Sequence, residues 1–206
     1  HPRHASFRRH FLLHHIFEQM VNSLFGESDK EKFYPKVYWK LNNSDKTFTF
    51  TNQEKRNSLR PDTIMITNRG KDNQKVFVLD SKYYRYGETK NPNHLPDSSS
   101  VVKQIAYAQY IEKPEKNAIP EDVKTHTSNN QIYNAFILPG KKDDDFENIG
   151  FVSADYVFSQ SAMQNNKTPE KPYYKIHGIL LDIRELMIHH AKSNQKIAKL
   201  EKAILI

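Results

Sequence analysis

Between Lys75 and Lys82 the chain reads KVFVLDSK: four apolar residues in succession, then an acid, a serine and a lysine. Successive side chains of a strand point to opposite faces, so Val76-Phe77-Val78-Leu79 must be buried on both. A strand of that kind belongs inside a sheet with helices on each side, which makes the fold class α/β. The 206 residues suffice for a domain with a real core, and 37% apolar with 12% aromatic residues suit a folded globule.

The rest of the pattern agrees with a central mixed β-sheet flanked by helices. A helix is expected from Arg8 to Phe25, with Leu13, Ile16, Phe17, Met20 and Leu24 as its apolar stripe and Gly26 as its stop. Pro35 to Leu41 and Lys46 to Thr51 read as a hairpin around Asn42-Asn43-Ser44-Asp45, followed by a polar loop from Asn52 to Leu59. Pro61 to Thr67 is a strand joined to the KVFVLDSK strand by Arg69-Gly70-Lys71-Asp72-Asn73. After a loop from Tyr86 to Ser100, one of the last serines should cap a helix from Val101 to Glu112, with Pro114 ending it. Strands follow at Gln131 to Pro139, Asn148 to Ala154 and Tyr173 to Leu181. Asp182 with Glu185 resembles a capping box opening a helix that runs to about Leu205. We expect a single domain over 1–206, with its core at about 8–140 and a C-terminal strand and helix at 173–205. The chain opens on His1, so a larger parent protein is expected.

The chemistry concentrates on two adjacent strands. Asp62 opens one of them, and Asp80 lies eighteen positions later near the end of the next. Asp80 and Lys82 are two apart, so they share a face, roughly 6–7 Å from one another along the strand. If the strands pair, Asp62 and Asp80 converge. Two hard oxygen ligands make a site for Mg²⁺, with Mn²⁺ as an alternative, and the absence of cysteine excludes a thiolate site. A lysine beside such a site can orient a water, take its proton or stabilise developing charge on a phosphate. The competing reading makes Asp80 and Lys82 a strand-end ion pair at the surface. A net charge of +7 favours a polyanionic partner such as DNA, and no apolar run is long enough to span a membrane.

RPD at Arg60 to Asp62, VLDSKYY at Val78 to Tyr84 and KQIAYAQY at Lys103 to Tyr110 resemble the PD-(D/E)xK nuclease superfamily. More narrowly, the chain resembles the nuclease domain of LlaJI-type restriction endonucleases, relatives of the McrC component of McrBC systems. The resemblance covers about Phe11 to Pro139. It implies a restriction-endonuclease-like fold, Mg²⁺-dependent cleavage of DNA in the bacterial cytoplasm, and work alongside a motor NTPase. The chain has no Walker A loop, so a McrB-like AAA+ subunit would be a separate chain. The resemblance also implies that Glu18, on the first helix, reaches the metal beside Asp62 and Asp80, and that Gln104 positions a catalytic or DNA-facing group.

Each secondary candidate has a plainer alternative. Glu18 lies off the main apolar stripe, and could be a solvated helix glutamate. Gln104 and Tyr107 share a helix face and could simply pack. Arg60, Tyr84, Arg85 and Lys103 are candidate DNA contacts, as are Tyr83 and Tyr86; packing or solvent would equally occupy them. His10 and His14 have ligand spacing on a helix but lack a third partner, and His189-His190 carries less still. Asp143-Asp144-Asp145 reads as a solvated turn. Rival functions are a repair or recombination nuclease on the same fold and a catalytically inactive scaffold that binds DNA or a protein; the intact acid-acid-lysine set argues against the scaffold.

Overall fold

The computed structural model describes residues 2–40, 47–49, 59–113, 118–127, 131–141, 146–157, 159, 161, 164–165, 170–188 and 191–206, with side chains from Leu12 onward except at 38–40 and 47–49. The expected turn at 42–45, most of the loop at 52–59, Pro114, Asp143, Asp144, Asp145, His189 and His190 lie outside the described residues.

Two sheets are described. The small one pairs β1 (Tyr38–Lys40) with β2 (Thr47–Thr49) antiparallel, with Trp39 opposite Phe48, as the hairpin reading expected. The large one has five strands: β3 (Thr63–Thr67), β4 (Lys75–Ser81), β5 (Ile132–Gly140), β6 (Phe146–Val152) and β7 (Ile176–Asp182), in the order β3-β4-β5-β7-β6. The inner strands β4, β5 and β7 run parallel, and β3 and β6 flank them antiparallel. Parallel neighbours need long crossovers, and the one from β4 to β5 contains a four-residue helix α2 (Tyr86–Thr89), the long helix α3 (Ser98–Glu112) and the short α4 (Glu121–Lys124).

Alternation along β4 sends its apolar run to both faces. Phe77 and Leu79 join Met65, Ile137, Ile179 and Leu181 beneath α1 (Pro2–Phe25) and the C-terminal helices. Val76 and Val78 join Ile64, Ile66, Tyr107, Ala108 and Ile111 under α3. The arrangement is a helix–sheet–helix sandwich, and no helix among the described residues is long and apolar enough to cross a membrane.

Three local expectations need correction. In α1 the buried face is Phe17, Val21, Leu24 and Phe25, while Leu13 and Ile16 are 45% and 43% exposed. Several overlapping stripes of apolar residues satisfy a 3.6-residue period here, and docking against β3 and β4 selects one of them. The cap of α3 is Asp97 rather than a serine: its Oδ1 accepts from Ser100 N at 2.9 Å. A carboxylate matches the positive end of the helix better than a hydroxyl. The C-terminal helix is two helices, α5 (Ile183–Ile188) and α6 (Asn194–Ile204). Asp182 ends β7 and accepts from Arg184 N, but Glu185 pairs with Lys196 of α6 rather than turning back to complete a capping box.

The segment leaving β4 is fixed by a close approach. A methyl group at Gly87 would lie 2.1 Å from Pro139 O and 2.9 Å from Gly140 Cα, so α2 rests directly on the end of β5. Gly87→Ala is expected to cost about 1–3 kcal/mol, the usual range for overpacking, measured by urea denaturation. Unchanged stability would mean that α2 shifts freely off β5.

Candidate active site

The β3–β4 ladder sets the geometry. Thr63 is opposite Leu79 and Ile64 opposite Val78, so Asp62, just before β3, comes to the end of β4 where Asp80 stands, near enough for the Asp80 charge to act on it. The two carboxylates share the α3 face of the sheet. Asp62 Oδ2 accepts from Ser81 N at 2.8 Å, so the acid of one strand holds the backbone of the other. Lys82 N donates to Ile137 O at 2.8 Å, which continues the β4–β5 pairing past Ser81 and orients the lysine.

Lys82 Nζ and Asp80 Oδ2 are 2.5 Å apart, with side chains 16% and 11% exposed. The ion pair that stood as the alternative does form, but inside the protein rather than at its surface. Burial works against the Lys82 charge; the Asp80 and Asp62 carboxylates outweigh it and raise its pKa, so the ammonium is kept at neutral pH.

Glu18 arrives from the opposite layer. Its Oε1 is 2.9 Å from His14 Nε2 and its Oε2 3.8 Å from His15 Nδ1. Burial would raise its pKa, but the His14 hydrogen bond and the His14, Lys82 and His15 charges bring it below the ordinary glutamate value. His14 Nδ1 accepts from Tyr83 N at 3.3 Å, so His14 joins the exit of β4 to Glu18.

The helix candidates separate. Gln104 is fully buried and its Nε2 donates to Ala135 O at 3.3 Å, on β5 rather than among the acids. Tyr107, one turn on, sends its hydroxyl to Arg60 O at 3.2 Å; burial first, then the Asp80 and Asp62 charges, raises its pKa. Spacing alone paired it with Gln104, and only the docking of α3 distinguishes the two. Lys30 was missed altogether: Nζ donates to Asp62 O at 2.7 Å and Asn22 Oδ1 at 2.9 Å, a contact over 32 positions with no sequence signature.

Among the candidate DNA contacts, Tyr83 packs edge-on against Phe17 with ring centroids 5.8 Å apart, and Tyr84 and Tyr86 are partly buried against the core. Arg60 lies 6.0 Å over the Tyr34 ring. Arg85 is exposed and paired with Glu88, and Lys103 is exposed on α3.

The carboxylates are crowded. Asp62 has a pKa well above the ordinary aspartate value, because it is buried and because Asp80 and Glu18 add negative charge nearby. Hard oxygen donors held against their own repulsion suit a divalent cation. As they stand, no three acidic or imidazole side chains among the described residues form a ready ligand cluster. The fit therefore rests on Asp62 and Asp80, with Glu18 close enough to act on both Asp62 and Lys82 electrostatically.

A mixed five-stranded sheet between helix layers, with two acids and a lysine on its first paired strands, is a restriction-endonuclease-like α/β fold. The family model described as LlaJI restriction endonuclease matches residues 8–187. The chain therefore belongs to the LlaJI restriction endonuclease family, and the match runs beyond Pro139 through β6 and β7 into α5. No curated protein matches it.

The Asp62 shift has a direct consequence for stability. A folded pKa above the unfolded one gives a contribution that is complete below about 3.9, the unfolded value. It is lost as pH rises through the raised folded value. In EDTA, wild-type protein should lose stability over that rise, and Asp62→Asn should not. At neutral pH the variant is expected to melt higher than wild type. Equal or lower melting of Asp62→Asn at every pH would mean that the Asp62 carboxylate is under no strain.

Proposed function

We propose that this chain is a Mg²⁺-dependent endonuclease domain of a restriction system, hydrolysing DNA phosphodiester bonds at a PD-(D/E)xK centre made of Asp62, Asp80 and Lys82. Membership of a restriction endonuclease family makes DNA the substrate. The observation that supports the finer reading is the contact of Lys82 with Asp80, with Asp62 bonded to the Ser81 amide between them.

Asp62 and Asp80 would hold Mg²⁺, or Mn²⁺ in its place, with the Ser81 carbonyl and water completing the shell, and Glu18 would act as an outer acidic partner. When bound, such an ion polarises the phosphoryl oxygen and acidifies a water. Lys82 keeps its proton in the metal-free site, so its role is that of a charged donor: it orients the attacking water and stabilises charge building on the phosphate. Tyr107 fixes the Arg60 backbone and thereby the approach to Asp62. Gln104 braces α3 on β5 rather than touching the reacting atoms. Arg60, Arg85 and Lys103 are offered as phosphate contacts, with Tyr84 behind them as packing. The α5 and α6 helices share a core with α1, and on that ground we take the chain as a single domain. A McrB-like AAA+ NTPase as licensing partner follows from the resemblance to McrC-related nucleases.

The experiment is plasmid cleavage with Mg²⁺ or EDTA, with and without a McrB-like AAA+ NTPase. Cleavage is expected only with metal, and strongly only with the partner. Lys82→Ala should lower it on the order of 100-fold or more while metal binding persists; Asp80→Ala should lose both. Lys82→Arg should rescue poorly, since a planar fork does not replace a point charge. Near-normal cleavage by Lys82→Ala would remove Lys82 from the centre.

A further inference from the structure

β3 is an edge strand, and the carbonyls of Asp62 and Ile64 lie on its side away from β4, where no further strand pairs with it among the described residues. Unpaired edge carbonyls need donors. The segment after α1 supplies both: Glu27 N donates to Ile64 O at 2.8 Å, and Lys30 Nζ donates to Asp62 O at 2.7 Å. The same ammonium donates to Asn22 Oδ1 at 2.9 Å, and Asn22 is one helical turn after Glu18 on α1. Lys30 thus spans the helix that carries Glu18 and the strand that carries Asp62.

Its own placement is secured from behind. Lys30 opens a short 3-10 turn, Lys30–Phe33, anchored by the fully buried Phe33. Just before it, Arg69 holds Glu27 at 2.9 Å and Asp29 at 2.9 Å. Arg69 therefore clamps the same segment without touching the carboxylates of the site. Lys30 differs in kind: it bonds the residue that bears an acid, and its charge acts on the side chains of both Asp62 and Glu18.

We infer that Lys30 is a positioning residue of this site: by bonding Asp62 O and Asn22 together, it sets the placement of the Asp62 carboxylate relative to Glu18 and so the affinity of the site for a divalent cation. The inference rests on the metal reading given above for its second half only. The first half is placement, and it is legible without metal, because Ser81 N donates to Asp62 Oδ2 and its amide exchange reports where that carboxylate is.

The test compares Lys30→Met, Asn22→Ala and Arg69→Met with wild type. Amide hydrogen exchange at Ser81 is followed by NMR in EDTA, and Mn²⁺ binding by calorimetry. Lys30→Met should speed Ser81 exchange and weaken Mn²⁺ about tenfold, the lost placement of Asp62 outweighing the gain that removal of a nearby positive charge brings to a bound cation. Asn22→Ala should move both in the same direction by less, and it keeps the test open if Lys30→Met folds poorly. Arg69→Met should leave both at wild-type values. Wild-type exchange and affinity in Lys30→Met would overturn the assignment, and so would equal losses in Arg69→Met, which would reduce Lys30 to one of several clamps on the segment. Wild-type protein that binds no Mn²⁺ would sink the metal reading and the affinity half with it, while Ser81 exchange would still decide whether Lys30 places Asp62.

Discussion

Two carboxylates brought together at the end of an antiparallel ladder repel. Asp62 and Asp80 stand in this relation, and the neighbourhood is arranged around it. Lys82 comes from the same face of β4 and neutralises Asp80 directly. Among the described residues no ammonium pairs with the Asp62 carboxylate, which takes the Ser81 amide and has a raised pKa. The asymmetry follows from strand geometry. A residue two places along the same strand lies on the same face, so β4 can carry both an acid and its counter-ion, while the acid at the opening of β3 depends on what other elements bring.

Those other elements come from both layers. α1 contributes Glu18 and, through His14, ties it to the backbone at Tyr83. The turn after α1 contributes Lys30 and closes the free edge of β3. α3 contributes Tyr107, whose hydroxyl holds the Arg60 carbonyl just upstream of Asp62. The buried run of β4 makes this possible, because a strand with Phe77 and Leu79 on one face and Val76 and Val78 on the other requires a helix on each side. The same four residues that fix the fold class thus decide that the acids at the end of the strand can be reached from two directions.

This explains which parts of the molecule were legible in its sequence. Fold class, strand order along the chain and the convergence of Asp62, Asp80 and Lys82 all follow from period-two alternation and short loops, which act locally. The face of α1 did not follow. Leu12, Leu13 and Ile16 are as apolar as Val21 and Phe25, and a helical period allows either set to be the core. Only docking on Met65, Phe77 and Leu79 selects between them. Gln104 and Tyr107 share a face, and which of them meets the acids depends on how far α3 sits along β5. Lys30 and His14 act through single long-range hydrogen bonds, which leave no periodic trace in the chain. Asp97 was hidden by three adjacent serines, each a good cap; the carboxylate prevailed because it also matches the helix dipole.

Charge balance joins these features on the proposed reading. Glu18, Asp62 and Asp80 are three carboxylates, and Lys30 and Lys82 are two ammonium groups set among them. With these five groups ionised the site carries one excess negative charge, and the raised Asp62 pKa reflects that crowding. A divalent cation would reverse the sign, leaving one excess positive charge. A phosphodiester carries one negative charge and cancels it. Two lysines rather than one are therefore what three acids require if the site is to be neutral with metal and substrate in place. Removing either lysine would leave the metal-loaded site neutral, so the charge of the phosphodiester would go unbalanced. In this balance Lys82 supplies charge at the scissile phosphate, while Lys30, with two of its three N–H bonds spent on Asp62 O and Asn22, supplies charge that stays in place.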